Sequence, residues 1–167
     1  KVSKLGNLCI DFYKKNNIAT VVKHIPGHGL SKCDSHYKTP IIKADKKLLI
    51  KKDFKPFKMC KSLFAMTGHA IYSAYDPINT ATHSKTIINN VIRNHINFRG
   101  LLISDDISMK SLKYRLEKNA TKALEAGCNL ILHCNGNMKE MLRLVKVIPK
   151  IDKFTQRKTS HFYKFLR

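Results

Sequence analysis

At 167 residues the chain is long enough for one domain with a real core, and 43% hydrophobic with 26% charged residues is ordinary for a globular protein. No run approaches the roughly 18 uninterrupted apolar residues of a membrane span, and Lys1-Val2-Ser3-Lys4 lacks the apolar core and cleavage site of a signal peptide, so a cytoplasmic, non-membrane protein is expected. The formal charge of +21 invites a nucleic-acid partner, yet only six of the 32 basic residues are arginines (Arg93, Arg99, Arg115, Arg143, Arg157, Arg167) and the lysines are spread along the whole chain. That distribution reads as a solvated basic surface rather than a binding stripe.

Five cysteines (Cys9, Cys33, Cys60, Cys128, Cys134) are odd in number and form no Cys-x-x-Cys pair, which argues against a disulfide framework and for a reducing compartment. The chain starts at Lys1 without a Met, read as a processed start or a fragment.

In chain order, residues 2–13 form a helical pattern with Val2, Leu5, Leu8, Cys9 and Phe12 on one face. The apolar run Ala19–Val22 follows, then Leu63–Met66, each too short for a free helix and readable as a strand buried on both faces. Ser84 is the expected N-cap of a helix over 84–96 that carries Ile87, Ile88, Val91, Ile92 and His95. The run Leu101–Ile103 precedes a helix over 111–126 (Leu112, Leu116, Ala120, Ala123, Leu124), which stops at Gly127. Leu130–Leu132 is the fourth run, followed by a helix over 137–148 (Met138, Met141, Leu142, Val145) that stops before Pro149. A basic tail from Lys150 has room for one more short helix. The alternation predicts an α/β chain with a parallel sheet and crossover helices. Residues 1–150 form one domain with a tail at 151–167. A small open sheet and part of a barrel both satisfy the pattern.

Polar residues gather after the runs: His24, His28, Asp34 and His36 after the first, His69 after the second, Ser104, Asp105 and Asp106 after the third, Cys134 and Asn135 after the fourth. In parallel α/β folds that end of the strands is the functional face. Lys23-His24-Ile25-Pro26-Gly27-His28-Gly29 reads as a loop, because Pro26, Gly27 and Gly29 forbid a regular helix. Beyond it, Asp34 and His36 are two apart, so a carboxylate can orient an imidazole for proton transfer; the alternative is that both satisfy loop backbone groups. Asp105 and Asp106 at a strand end suit a nucleophile, a metal ligand or a base, or a helix N-cap, the last fitting Asp106 better. His24, His28, Cys33, Asp34, His36 and His69 are ligand types that suit zinc, though not at helical His-x-x-x-His spacing.

Several motifs, in order, carry a resemblance. Lys23–Gly29 followed by Asp34-Ser35-His36 resembles the signature of the bacterial family 3 β-N-acetylglucosaminidases. Asp53-Phe54-Lys55-Pro56-Phe57, Ala65–Tyr72, Asp76-Pro77, Ala81–Ser84, Phe98–Met109 and Ala126–Asn135 resemble that family's successive segments. The family usually has Asp-Thr where this chain has Leu30-Ser31, a change in the loop. The resemblance implies the second half, strands 5–8, of a (β/α)₈ TIM barrel, beginning with the helix before the fifth strand. It implies retaining hydrolysis of terminal β-linked N-acetylglucosamine from peptidoglycan-derived muropeptides, a glycan substrate, and no metal or organic cofactor. By the same resemblance Asp105 is the nucleophile, His36 the general acid/base, and Asp34 the group that orients it. Lys23 and His24 bind the sugar hydroxyls, and His69 lines the substrate site. The first half would hold an acid and an arginine that grip the sugar, on a separate N-terminal half-barrel chain if it exists. Two alternatives are an inactive remnant of such an enzyme and a basic module that binds glycan or nucleic acid.

Overall fold

A computed structural model describes residues 1–35 and 37–165. Helix α1 (Val2–Lys15) leads into strand β1 (Val21–Ile25). The other strands of the main sheet are β3 (Phe64–Thr67), β6 (Leu101–Asp106) and β7 (Leu130–Leu132), all parallel, in the order β1-β3-β6-β7. Between β1 and β3 lie β2 (Ile41–Ile42) and a helical stretch that begins as α2 (Lys46–Leu49), widens to π geometry over Ile50–Phe54 and tightens over Lys55–Phe57. A second, small sheet joins β2 to β4 (Ile71–Tyr72) in parallel and β4 to β5 (Asp76–Thr80) antiparallel. The π-helix Ile87–His95, α3 (Leu116–Ala126), α4 (Met138–Val147) and α5 (Lys153–Phe165) complete the chain.

The crossover helices form where the spacing predicts. Ser84 Oγ accepts from Ile87 N at 3.1 Å and donates to Asp76 Oδ2 at 2.6 Å, so the cap is itself held. Ile87, Ile88, Val91 and Ile92 are all buried against the sheet, together with Ala65 and Leu102 from its strands. α3 ends at Gly127, whose φ of +119° is the left-handed conformation that glycine adopts without strain. Arg93 locks the start of β6: its guanidinium donates to the carbonyls of Phe98 (3.0 Å) and Gly100 (2.8 Å) and to Asn129 Oδ1 (2.9 Å). Gly100 lies so close to β3 that an added Cβ would stand 2.1 Å from the Leu63 carbonyl oxygen.

Several boundaries differ from the sequence reading. β1 continues through Lys23 and His24 to Ile25, so these residues belong to the strand rather than to a loop. β6 likewise carries Ser104, Asp105 and Asp106; pairing with β7 tolerates charge at the open end of a strand. α3 starts at Leu116, not at 111, because Asp106 caps a turn at Ser108 and the turn residues Ile107 and Leu112 are buried in their own cluster with Ala120 and Leu144. The small sheet escapes notice because two of its strands have only two residues. The tail is a full helix: Asp152 Oδ1 caps it through Thr155 N (2.6 Å), Asn129 Nδ2 donates to Thr155 Oγ1 (3.1 Å), and Phe162 meets Phe64 edge to face at 5.1 Å.

The outermost helices leave apolar faces open. On α1 the face that carries Leu5 and Phe12 is uncovered, with Leu5 62% and Phe12 65% exposed, and Ile10 turns inward. On α4, Met138, Met141, Leu142 and Val145 are exposed and Leu144 is buried. β1 and β7 are the edge strands of the sheet, so α1 and α4 flank them with a neighbour on one side among the described residues. No helix among the described residues is long and apolar enough to cross a membrane.

Candidate active site

Of the residues singled out by sequence, His24, His28, His69, Asp105 and Asp106 converge at the C-terminal ends of β1, β3 and β6. In the ladder between β1 and β3, Lys23 pairs with Met66 and Ile25 with Thr67, so His24 is an extra residue in a bulge. Between β6 and β7 the register slips again, from Ile103–Leu130 to Asp106–Leu132, across Ser104 and Asp105. Bulges re-aim side chains at sheet ends. Here both irregularities of the main sheet fall on candidate residues, and they bring His24 Nε2 to 3.5 Å from Asp105 Oδ2. The peptide bonds Lys23–His24 and Ile25–Pro26 are cis.

The two adjacent acids are sharply distinguished. Asp106 Oδ1 accepts from Ser108 N (3.0 Å), Ser108 Oγ (2.9 Å) and Cys134 N (3.3 Å), and its Oδ2 also meets Ser108 Oγ (2.7 Å). Its carboxylate is committed to the turn after β6. Asp105 Oδ1 is held by the Asp106 N–H at 2.8 Å, while Oδ2 faces His24. With a side chain 15% exposed, Asp105 is anchored through one oxygen and presents the other.

Burial pulls the His24 imidazole below its ordinary range; Asp105 opposes that, and His28, Lys23 and His69 add to it. A pKa lowered from 6.5 leaves the His24 ring mainly neutral at pH 7. The His28 ring lies 5.2 Å from it, and both press on Gly68, where an added Cβ would meet His28 Cδ2 at 3.1 Å and His24 Cβ at 3.2 Å. Lys23 is exposed at the same mouth, its charge acting on both His24 and the Cys134 thiol. Burial, with Asp106 and Asp105 adding to it, raises that thiol.

His69 has a different place from the one expected. It is 1% exposed and both ring nitrogens are used within the protein, which leaves none to contact a substrate. Nε2 donates to the Asp106 carbonyl (2.9 Å), so Nδ1 must be the acceptor from Thr82 Oγ1 (2.7 Å). Thr67 Oγ1 then donates to Thr82 at 2.8 Å. Burial lowers the His69 pKa, in keeping with this neutral tautomer. The chain Thr67–Thr82–His69 braces the end of β6 that carries Asp105. Thr82 was missed by sequence reasoning because a lone Thr between Ala81 and His83 carries no chemical signal.

Asp34 lies in the exposed loop after β1, where its carbonyl accepts from Tyr37 N (3.3 Å) and Lys38 N (3.2 Å). His36 lies outside the described residues. Among the described residues no group of three His, Cys, Asp or Glu side chains is arranged to hold a metal ion. A cavity of about 410 Å³ lies at the opposite ends of the strands, beside Thr20, Leu63 and Gly100. The candidate site is located by its side chains rather than by that cavity.

Comparison with known proteins gives the family. The profile of the glycosyl hydrolase family 3 N terminal domain matches residues 1–161. A beta-hexosaminidase of Actinobacillus pleuropneumoniae serotype 3 is 36% identical over 132 residues, 75% of this chain and 38% of the relative. That of Nitrosomonas eutropha is 34% identical over 139 residues, 80% of this chain and 40% of the relative. Among solved structures, a glycoside hydrolase family 3 beta-N-acetylglucosaminidase from Paenibacillus sp. superposes with a TM-score of 0.82 at 26% identity, covering 98% of this chain and 33% of that one. The beta-N-acetylglucosaminidase from Thermotoga maritima superposes at 0.75 with 28% identity, over 98% of this chain and 38% of that one. The chain belongs to glycosyl hydrolase family 3. It spans about two-fifths of the length of the beta-hexosaminidases it matches.

Proposed function

We propose that this chain carries the catalytic half of a retaining β-N-acetylglucosaminidase that removes terminal β-linked N-acetylglucosamine from peptidoglycan-derived glycans. The observation that carries the reading is the anchored, presented Asp105 carboxylate 3.5 Å from the neutral His24. Asp105 Oδ2 attacks the anomeric carbon and the glycosidic bond breaks. The leaving oxygen takes a proton from His36, which Asp34 orients. A water then gives its proton back to His36 and its oxygen to the anomeric carbon, releasing the sugar and restoring Asp105. His24 and Lys23, at the mouth beside Asp105, hold ring hydroxyls. His69 supports the strand end from behind.

In this reading β1, β3, β6 and β7 are strands 5–8 of a (β/α)₈ barrel, and residues 1–150 with their tail form its second half. The exposed faces of α1 and α4, one at each edge of the sheet, support it, since a closed barrel covers both flanks. The other half, on the same or a separate chain, supplies further grips on the sugar. The test is trapping of the full-length enzyme with a 2-deoxy-2-fluoro or 5-fluoro glycosyl donor. The label belongs on Asp105, and Asp105→Ala abolishes it; a label recovered on Asp106 refutes the assignment.

A further inference from the structure

The loop that leaves β1 and carries Asp34 and His36 is tied at both ends to a short stretch of chain around Tyr72. At its root Tyr72 Oη donates to the Gly27 carbonyl at 2.7 Å. At its far end Ile71 N donates to the Pro40 carbonyl at 2.8 Å, and Ser73 N to the Ile42 carbonyl at 3.1 Å. Asp53, from the π-turn, adds a second tie at the root: its Oδ2 accepts from Leu30 N at 3.4 Å. Gly27 packs so tightly there that a Cβ would stand 2.3 Å from the Asp53 carbonyl oxygen. Thr39 Oγ1 closes the far end onto the Ser111 carbonyl at 2.6 Å. Between these ties, Lys32 to Asp34, Tyr37 and Lys38 are exposed.

Tyr72 is fully buried in the hydrophobic core, with its ring 6.0 Å from Phe54. Its hydroxyl stays protonated because burial and the Asp53 carboxylate raise it well above the ordinary phenol range. A buried tyrosine whose one polar atom is spent on a loop carbonyl 45 residues away fixes geometry at that loop. We infer that Tyr72, seconded by Asp53, is a positioning residue that sets the root of the 27–40 loop, the loop that carries the proton-transfer pair proposed above. The inference rests on the glycosidase reading of Asp34 and His36. It also explains why the fold includes the small three-stranded sheet, in which β4 is the staple while β2 and β5 hold it in place.

The test compares Tyr72→Phe, Asp53→Ala and Asp34→Asn in the full-length protein. Phe keeps the ring packing and removes only the hydroxyl. Each variant is assayed on an activated aryl N-acetylglucosaminide, which leaves without protonation, and on an N-acetylglucosamine disaccharide, which needs it. Misplacement of a catalytic group by ~1 Å costs on the order of 10²-fold, so Tyr72→Phe should lower kcat on the disaccharide by roughly 10- to 100-fold, with KM and the aryl substrate changed by less than about 3-fold. It should also speed limited tryptic cleavage after Lys32 and Lys38 while the rest of the chain stays intact. A merely structural tyrosine would slow both substrates alike. Equal slowing, or unchanged kcat and unchanged cleavage, overturns the role of Tyr72 while Asp34→Asn remains selective. An Asp34→Asn that is not selective overturns the glycosidase reading beneath it. Should Tyr72→Phe fail to fold, Asp53→Ala decides by the same measurements.

Discussion

Acid should weaken this fold through a histidine that takes no part in the chemistry. His83 is 8% exposed, its Nε2 donates to the Asn119 carbonyl at 3.0 Å, and burial, with His69 and Lys122 adding, lowers its pKa from 6.5 to about 4. The folded state therefore binds its proton later than the unfolded state does. Nothing is lost above pH 6.5; below it the unfolded chain takes up the proton first, and stability falls until about pH 4, where the folded ring also titrates. At 1.36 kcal/mol per pH unit, pH 5 lies one and a half units into that window, a loss of about 2 kcal/mol from this residue alone. Urea unfolding at pH 7.5 and pH 5 measures it, with His83→Gln as the reference. Gln keeps a donor for Asn119 and removes the titration. His24 and His69 shift in the same direction and add to the slope of both proteins, so the difference between them isolates His83. With urea m-values of about 1–3 kcal/mol/M, the gap between their midpoints should change by roughly 1 M between the two pH values. A gap that does not change with pH refutes the buried, neutral assignment.

Gly100→Ala should destabilise the protein by about 3 kcal/mol or more, the upper end of overpacking costs, because the new Cβ meets backbone at Leu63 that cannot rotate away; an unchanged melting temperature would contradict the close approach of β6 to β3. Residues 1–167 expressed alone should self-associate through the open faces of α1 and α4, and Leu5→Gln with Phe12→Gln should reduce the associated fraction seen by light scattering. A monodisperse monomer with full N-acetylglucosaminidase turnover would mean that the described strands close a complete site by themselves.

The βα alternation was legible from the sequence because each short apolar run and each amphipathic stretch obeys a local period that burial requires. Ser84 as a cap, Gly127 as a helix stop and Asp106 as the capping acid of the pair followed from local chemistry and were found in place, Asp106 capping a turn rather than a helix. The motif order around Lys23–Gly29 and Ser104–Asp106 was enough to point to the family, and Asp105 was set apart from Asp106 by the resemblance and by the better fit of Asp106 to a cap. What tertiary structure decided is everything that depends on register or on partners distant in sequence. The two bulges arise from pairing between strands distant in the chain and bring together His24 and Asp105, 81 residues apart, and no local period encodes a slipped ladder. His69 reads in sequence as one more imidazole at a strand end; only its enclosure by Thr82 and the Asp106 carbonyl turns it from a ligand candidate into a brace. Tyr72 and Asp53 look like core and turn residues until the chain folds and their polar atoms meet the loop at Gly27 and Leu30. The faces of α1 and α4 carry the opposite lesson: helical periodicity states which residues need cover, but whether cover is present depends on which strand is the edge of the sheet.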